Sequence, residues 1–216
     1  MVLYRDTYRV ESARLPNWDY RWEAKYFITI VTQNSEHFFG EIVDGEMILN
    51  DIGKITNTEW GKTSDIRPDM NITIHNFCIM PNHFHAIIEI GKNEYNKRVM
   101  DYGTNYGAMG DRRDAMHCVS TPNATPNPTP GIAHDKIPNP RKPKNKFGPQ
   151  SKNLGSIMRG FKSTVKIQAQ IINPDFEWQS RYHDHIIRNN SDYHRIKKYI
   201  INNPKQWDDD KFNSIN

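Results

Sequence analysis

Cysteine is almost absent from this sequence. Cys78 and Cys118 are the only two among 216 residues, and they stand in unrelated contexts. Two such residues make no disulfide framework, so the small stapled secreted folds are excluded. No apolar run reaches the roughly 18 residues that a membrane-spanning helix needs. The opening Met-Val-Leu-Tyr-Arg-Asp has no apolar core of the signal-peptide kind, and the cytoplasm is the expected location. Apolar residues are scarce, at 36% of the chain, so part of it is expected to stay unpacked. Acidic residues are missing from one long stretch. Residues 136–174 hold nine Lys or Arg and no Asp or Glu, although the whole chain carries only +4. Positive charge gathered in one segment fits a polyanion partner, and equally a solvated basic face.

What is present reads as one α/β domain with a long insertion. Residues 25–33 are aromatic and β-branched and predict a strand. Residues 41–50 hold Asp44-Gly45 between two apolar runs, the pair that favours a tight type I′ hairpin. A helix is expected over 51–64, with Ile52, Ile55 and Trp60 inside. Residues 70–80 form a second strand, with Ile72, Ile74, Asn76, Cys78 and Met80 on one face. After a Pro81-Asn82 turn, 83–90 is its antiparallel partner. Residues 92–150 are rich in Pro, Asn, Gly and Thr and are expected to be a largely disordered surface insertion. Helical spacing returns at Leu154, Ile157, Met158, Phe161, Val165, Ala169 and Ile172, capped by Ser151 or Asn153. Gly155 and Gly160 weaken that helix unless another group approaches closely. A short strand lies within 176–188. A last helix runs over 192–203, capped by Asn190 or Ser191, with Tyr193, Ile196 and Ile200 inside. Pro204 stops it. The expected layout is a lead-in over 1–24, one domain from 25–91 and 151–207, the insertion between, and a frayed acidic tail over 208–216.

Three groups of residues carry candidate chemistry. His83 and His85 flank Phe84, so on a strand they share one face and could hold a divalent cation. Two ordinary histidines fit the same pattern. A zinc set of His75, Cys78, His83 and His85 is the rival, but a regular pleat turns His75 and Cys78 to opposite faces. Tyr199 and Asn203 are four apart and neighbours on one helical face. The Asn203 amide could be a third, uncharged ligand, with the Tyr199 hydroxyl about one turn away; a core tyrosine and a helix-end asparagine are the plain alternative. Asp184-His185 could be an acid/base pair or a base reader, or part of a surface strand paired with Arg181 or Arg188. Arg159, Lys162 and Lys166 form a basic stripe on the helix face away from its apolar stripe.

Four blocks of sequence, in this order, resemble the REP-associated tyrosine transposases of the HUH superfamily of single-strand nucleases. They are Met80-Pro81-Asn82-His83-Phe84-His85-Ala86-Ile87-Ile88; the helix through Gly155, Phe161 and Lys162; Trp178-Gln179 through Arg181-Tyr182, Asp184-His185-Ile186-Ile187-Arg188-Asn189; and Tyr199 through Asn203-Pro204 and Trp207. Segments 14–20, 26–32 and 39–47 are similar too, and the likeness spares residues 92–150. It implies a ferredoxin-like core with a central antiparallel sheet. It implies that His83, His85 and Asn203 hold Mg²⁺ or Mn²⁺ and that Tyr199 is the nucleophile, giving a 5′-phosphotyrosine. The implied partner is single-stranded DNA with REP-like hairpins, met by Arg159, Lys162, Lys166, Arg181, Asp184, His185 and Arg188. A monomer is expected, with a homodimer the alternative and no membrane partner. A DNA-hairpin binder without catalysis is a second expectation. A replication initiator or relaxase is a third; Tyr193 and Tyr199, six apart and facing differently, argue against an initiator, and the missing third histidine argues against a relaxase.

Overall fold

β-branched and aromatic residues crowd residues 24–31 and 83–90, and both stretches become central strands. A computed structural model describes residues 3–4, 7–8, 15, 18–97 and 151–213. After two short paired strands, β1 (Leu3–Tyr4) and β2 (Thr7–Tyr8), come β3 (Ala24–Val31), a hairpin of β4 (Gly40–Val43) and β5 (Glu46–Leu49), and α1 (Asp51–Gly61). They are followed by β6 (Ile72–Ile79), β7 (His83–Ile90), α2 (Leu154–Ile172), β8 (His183–Ile187) and α3 (Asn190–Asn202). The main sheet has the order β6-β7-β3-β8, and every pairing in it is antiparallel. With α1 joining β3 to β6 and α2 joining β7 to β8, this is the ferredoxin-like split β-α-β arrangement. Among the described residues no helix is long and apolar enough to cross a membrane.

Strand alternation divides the side chains between the sheet's two faces. Tyr26, Ile28, Ile30, Phe84, Ala86, Ile88 and Ile90 face α1 and α2, in a large core with Trp60, Ile157, Phe161 and Val165. The Trp60 ring lies 4.9 Å from Phe84 and 5.1 Å from Phe161. The other face is covered by α3 and, at the His83 end, by the C-terminal tail through Trp207 and Phe212. There Phe27, Ile87 and Ile187 meet Ile196 and Ile200 in a much smaller apolar cluster. His83 and His85 belong to this second face.

Several local expectations shift for physical reasons. In β6, Ile74 pairs with Ile88 and Phe77 with Ala86, so His75 and Asn76 stand against Ile87 alone. This bulge restarts the alternation. Ile72, Ile74 and Phe77 therefore pack on the large core, while Cys78 turns to the α3 side. The hairpin is as expected, with Asp44 and Gly45 both at positive φ. Helix α1 is capped by Asn50, whose side chain accepts from the Gly53 amide, and it ends at Gly61. Asn153 caps α2 in a reciprocal box with Ser156. Gly160 is explained by Arg67, whose guanidinium occupies the space that a Cβ would take. Asn189, not Asn190 or Ser191, caps α3, because only its side chain reaches the Asp192 amide, at 2.8 Å. The described part of the acidic tail, to residue 213, is not frayed: Pro204–Asp209 forms a 3₁₀ helix anchored by buried Trp207, and Asn82 Nδ2 donates to the Phe212 carbonyl at 2.7 Å. Residues 92–97 form an ordered turn tied to Met70 and Gly91 through Asn93. The rest of the expected insertion lies outside the described residues.

Candidate active site

Two side chains determine how the histidine pair is presented. Asn82 is fully buried, and its Nδ2 donates to the carbonyls of Ser35 and Phe212. Its Oδ1 is therefore the acceptor at 2.8 Å from His83 Nδ1. The proton of neutral His83 then sits on Nδ1, and Nε2 carries the lone pair. His85 Nδ1 pairs with Thr29 Oγ1 at 2.8 Å, across the strand from it. The ring centroids of His83 and His85 lie 4.6 Å apart. Burial pushes the His83 pKa down to about 4. His85 is also held well below the usual range, by burial first and then by the neighbouring His83. Both are neutral at pH 7, the form that binds metal ions.

Helix α3 brings its partners to the pair. The Tyr199 hydroxyl lies 3.1 Å from His85 Nε2. Phe27 holds both rings, stacked on His85 at 5.4 Å and edge-on to Tyr199 at 6.1 Å. Burial raises the Tyr199 pKa to about 12; the Asp210 charge adds to this, while the Asn203 amide opposes it. Asn203 is buried, and its Nδ2 donates to Asp210 Oδ2 at 3.1 Å. That leaves Asn203 Oδ1 facing inward. His83 Nε2 and Asn203 Oδ1 are buried acceptors with no hydrogen-bond partner. Ligand atoms of His83, His85 and Asp210 all lie within 4.8 Å of one another and could hold a metal ion. Two buried lone pairs with no facing donor, on His83 Nε2 and Asn203 Oδ1, suit a cation. The zinc set of His75, Cys78, His83 and His85 is not assembled, although the bulge puts His75 and Cys78 on one face. His75 Nε2 is paired with Glu89 instead, and burial raises the Cys78 thiol to about 12.

The buried neutral histidines make stability depend on pH. The His83 pKa is depressed from 6.5 in the unfolded chain to about 4. The unfolded state therefore binds more protons, and the contribution is full above pH 6.5 and is lost as pH falls toward 4. His83 alone should cost about 1.4 kcal/mol per pH unit across that window. Urea unfolding at pH 7, 6 and 5 is expected to show the midpoint falling at each step. Equal midpoints at pH 7 and 5 would remove the buried neutral state.

Two polar ties seat the first turn of α3 on opposite edges of the sheet. Tyr193 Oη lies 3.3 Å from His75 Nδ1 on β6. His75 Nε2 contacts Glu89 at 2.8 Å, and Lys25 meets the same carboxylate at 3.2 Å. Asp192 Oδ2 meets His185 Nε2 on β8, also at 2.8 Å. Tyr193 and Tyr199, expected to face differently, both pack against the small apolar cluster; they flank the Ile196–Ile200 stripe from either side. Because that cluster is small, the ties should matter. Tyr193→Phe and Asp192→Asn are each expected to lower stability by about 1 kcal/mol, measured by chemical denaturation. No change in either would mean that apolar packing alone holds the helix.

The remaining sequence candidates scatter. Helix α2 packs on the sheet face opposite His85, so Arg159, Lys162 and Lys166 lie across the sheet from the histidine pair. The Lys162 ammonium is bound to the carbonyls of Gln179 and Arg181, and burial lowers its pKa to about 8. Lys166 pairs with Glu177. Asp184 and His185 are strand neighbours and point to opposite faces; the carboxylate that meets His185 is Asp192. Arg181 and Arg188 are exposed. Sequence reading missed Asn82, Thr29, Asp210 and Phe212. Asn82 had been assigned to a turn, and only the cross-strand register reveals Thr29. The bond from Asn82 to Phe212 brings the tail back, so that the Phe212 ring lies 4.6 Å from that of His83.

No protein-family model matches the chain. It is 33% identical over 201 residues to an uncharacterized protein of Haemophilus influenzae, covering 93% of this chain and 91% of that one. Among solved structures it is similar to a REP-associated tyrosine transposase bound to a REP hairpin. That likeness has 16% identity and a TM-score of 0.47, over 90% of this chain and 74% of the other. A candidate transposase from Deinococcus radiodurans is similar at 10% identity and a TM-score of 0.34, over 88% and 95%. With both scores below 0.5, neither likeness identifies an activity.

Proposed function

This chain belongs to one family with the Haemophilus influenzae protein, and for it we propose a single-stranded DNA endonuclease and strand transferase of transposase type. The observation that carries this reading is the Tyr199 hydroxyl at 3.1 Å from His85, beside the two unpartnered buried acceptors on His83 and Asn203. The four sequence blocks that resemble the REP-associated tyrosine transposases support it, and from them come the proposed substrate, single-stranded DNA with REP-like hairpins, and the 5′-phosphotyrosine product.

His85 orients the nucleophile. Its Nε2 holds the hydroxyl, Thr29 holds its Nδ1, and Phe27 prevents either ring from turning. Tyr199 Oη attacks the scissile phosphorus. The new Oη–P bond forms as the bond to the 3′-oxygen breaks; the phenol gives up its proton, and the leaving 3′-oxygen gains one. Attack by a 3′-hydroxyl reverses these steps and rejoins strands with no external energy source. A divalent cation held by His83 and His85, with Asn203 or Asp210, would take the His85 Nε2 lone pair in place of the Tyr199 hydroxyl, supply positive charge to the phosphate oxygens and favour the phenolate; Mg²⁺ or Mn²⁺ is proposed, with the imidazoles favouring Mn²⁺. The tyrosine and the histidines meet within one chain, which supports a monomer acting in cis.

The test is a denaturing gel of the full chain with single-stranded oligonucleotides bearing hairpin repeats from the gene's own flanks, with Mn²⁺ or Mg²⁺. A covalent protein–DNA band that chelator prevents is expected. Tight hairpin binding with no band under either ion would favour the non-catalytic binder.

A further inference from the structure

We propose that the cleft between residues 37–38, the start of α1 and the end of α2 takes one unpaired base of the DNA strand, close to the phosphate that is cut. The proposal rests on the nuclease reading above and adds a base-binding subsite to it. The cleft has a volume of about 380 Å³ and is partly open, a size that suits a single flat ring system. Phe38, Ile52, Ile172 and Pro174 give it apolar walls, and the exposed His37 ring lines it too. Ile172 is left 51% exposed there, which is apolar surface that a ligand could cover.

The lining favours a base over a phosphate. It includes the acid Asp51 and neither Lys nor Arg, so backbone charge is not attracted. A nucleobase is apolar on its faces and polar at its edge, and unpaired bases are held by stacking on rings such as imidazole. Asn173 Oδ1 accepts from the Asp175 amide at 3.0 Å, which leaves Nδ2 as the donor for an acceptor on the base edge. The other polar residues are already engaged. Asn50 caps α1 and donates to the Phe38 carbonyl at 3.0 Å, and Asp51 pairs with Lys54.

The cleft is continuous with the histidine pair. The His37 ring lies 5.5 Å from Trp207, and Trp207 lies 6.0 Å from His83, so one indole separates the cleft from the proposed metal ligands. The cleft is also preformed. Asn82, which orients His83, donates from Nδ2 to the Ser35 carbonyl at 2.9 Å, and Thr32 Oγ1 donates to the Glu36 carbonyl at 2.7 Å. The Phe38 ring packs edge-on to Phe176 at 5.2 Å. A strand that runs from Tyr199 past His83 and over Trp207 meets this cleft next.

The experiment measures binding of the full chain, in chelator, to hairpin oligonucleotides whose unpaired nucleotides are replaced one at a time by abasic sites. One abasic position is expected to weaken binding about tenfold, the scale of one base stacked on a ring. His37→Ala should weaken the intact oligonucleotide by a similar factor and cost nothing more on that abasic one, because both changes remove the same contact. Its slope of log K against log salt should match wild type, since no phosphate contact is lost. His37→Phe, which restores a ring, should bind near wild type. Asn173→Asp, which keeps the bond to Asp175 and removes the donor, should weaken the intact oligonucleotide and not the abasic one. Equal affinity for every abasic oligonucleotide, or a His37→Ala loss that is the same with and without the base, would overturn the subsite while an intact wild-type adduct kept the nuclease reading. A wild-type chain that neither binds nor forms an adduct would overturn both.

Discussion

Tyr199→Phe is expected to abolish the covalent protein–DNA band while leaving the fold in place. The ring of Tyr199 packs edge-on to Phe27, and phenylalanine keeps that contact. What is lost is one hydroxyl and its bond to His85 Nε2, a change of about 1 kcal/mol or less in stability. Removal of a nucleophile removes the adduct itself, so the expected loss is complete. DNA binding measured in chelator should stay within about twofold, since a phenol contributes no phosphate charge. Tyr193→Phe is the informative control. Tyr193 lies on the same helix and also packs against the sheet, but its hydroxyl is engaged with His75. It should keep the band. A band that survives Tyr199→Phe and vanishes with Tyr193→Phe would transfer the role to the first turn of α3.

The second large effect is expected at the histidine pair. A bound ion stabilises the native state by about 2.7 kcal/mol at a hundred times its Kd, so Mn²⁺ should raise the Tm of the wild-type chain. His83→Ala combined with His85→Ala should erase that rise together with DNA nicking. Single variants of the third partner separate two arrangements. If Asn203 Oδ1 is the ligand and Asp210 only orients it, Asn203→Ala should weaken Mn²⁺ by tenfold or more, and Asp210→Asn by less. If Asp210 is the ligand, the order reverses, because removing a carboxylate removes a full charge. This distinction matters for the chemistry. Two imidazoles and an amide leave the cation its whole charge for the substrate, whereas a carboxylate offsets part of it. A Tm rise that persists in the double histidine variant would place the ion elsewhere.

Acid sensitivity bears on the same pair. His83 and His85 are buried as neutral bases, and Asn82 and Thr29 fix which nitrogen faces the site. Such a pair weakens the fold at low pH and gains from an ion at neutral pH. The two dependences are one property: imidazole lone pairs buried away from water. Helix α3 is the element most affected. It is held by five buried apolar residues and a few polar ties, and it carries both Tyr199 and Asn203.

Much of this was legible from spacing. Alternation in residues 83–90 put His83 and His85 on one face, because a strand's period of two is set by the backbone. The Asp44-Gly45 pair specified a hairpin, because both positions need positive φ. The apolar stripe of α2 and its Asn153 cap followed from helical geometry. Residues 70–80 were read less well. A bulge costs one residue of register and leaves no mark in composition, so the face of Cys78 was misassigned.

The sequence by itself determined the elements, their order and the chemical identity of the pair at His83 and His85, since these depend on local periodicity. The tertiary structure alone decided the company the pair keeps. Asn82, Thr29, Tyr199, Asn203, Asp210 and Phe212 converge from four separate segments, and convergence depends on strand order and helix seating rather than on neighbours in the chain. The same packing put the basic stripe of α2 behind the sheet, away from the histidine pair. Charge along a sequence shows how much is present, but only burial and topology decide which face it serves.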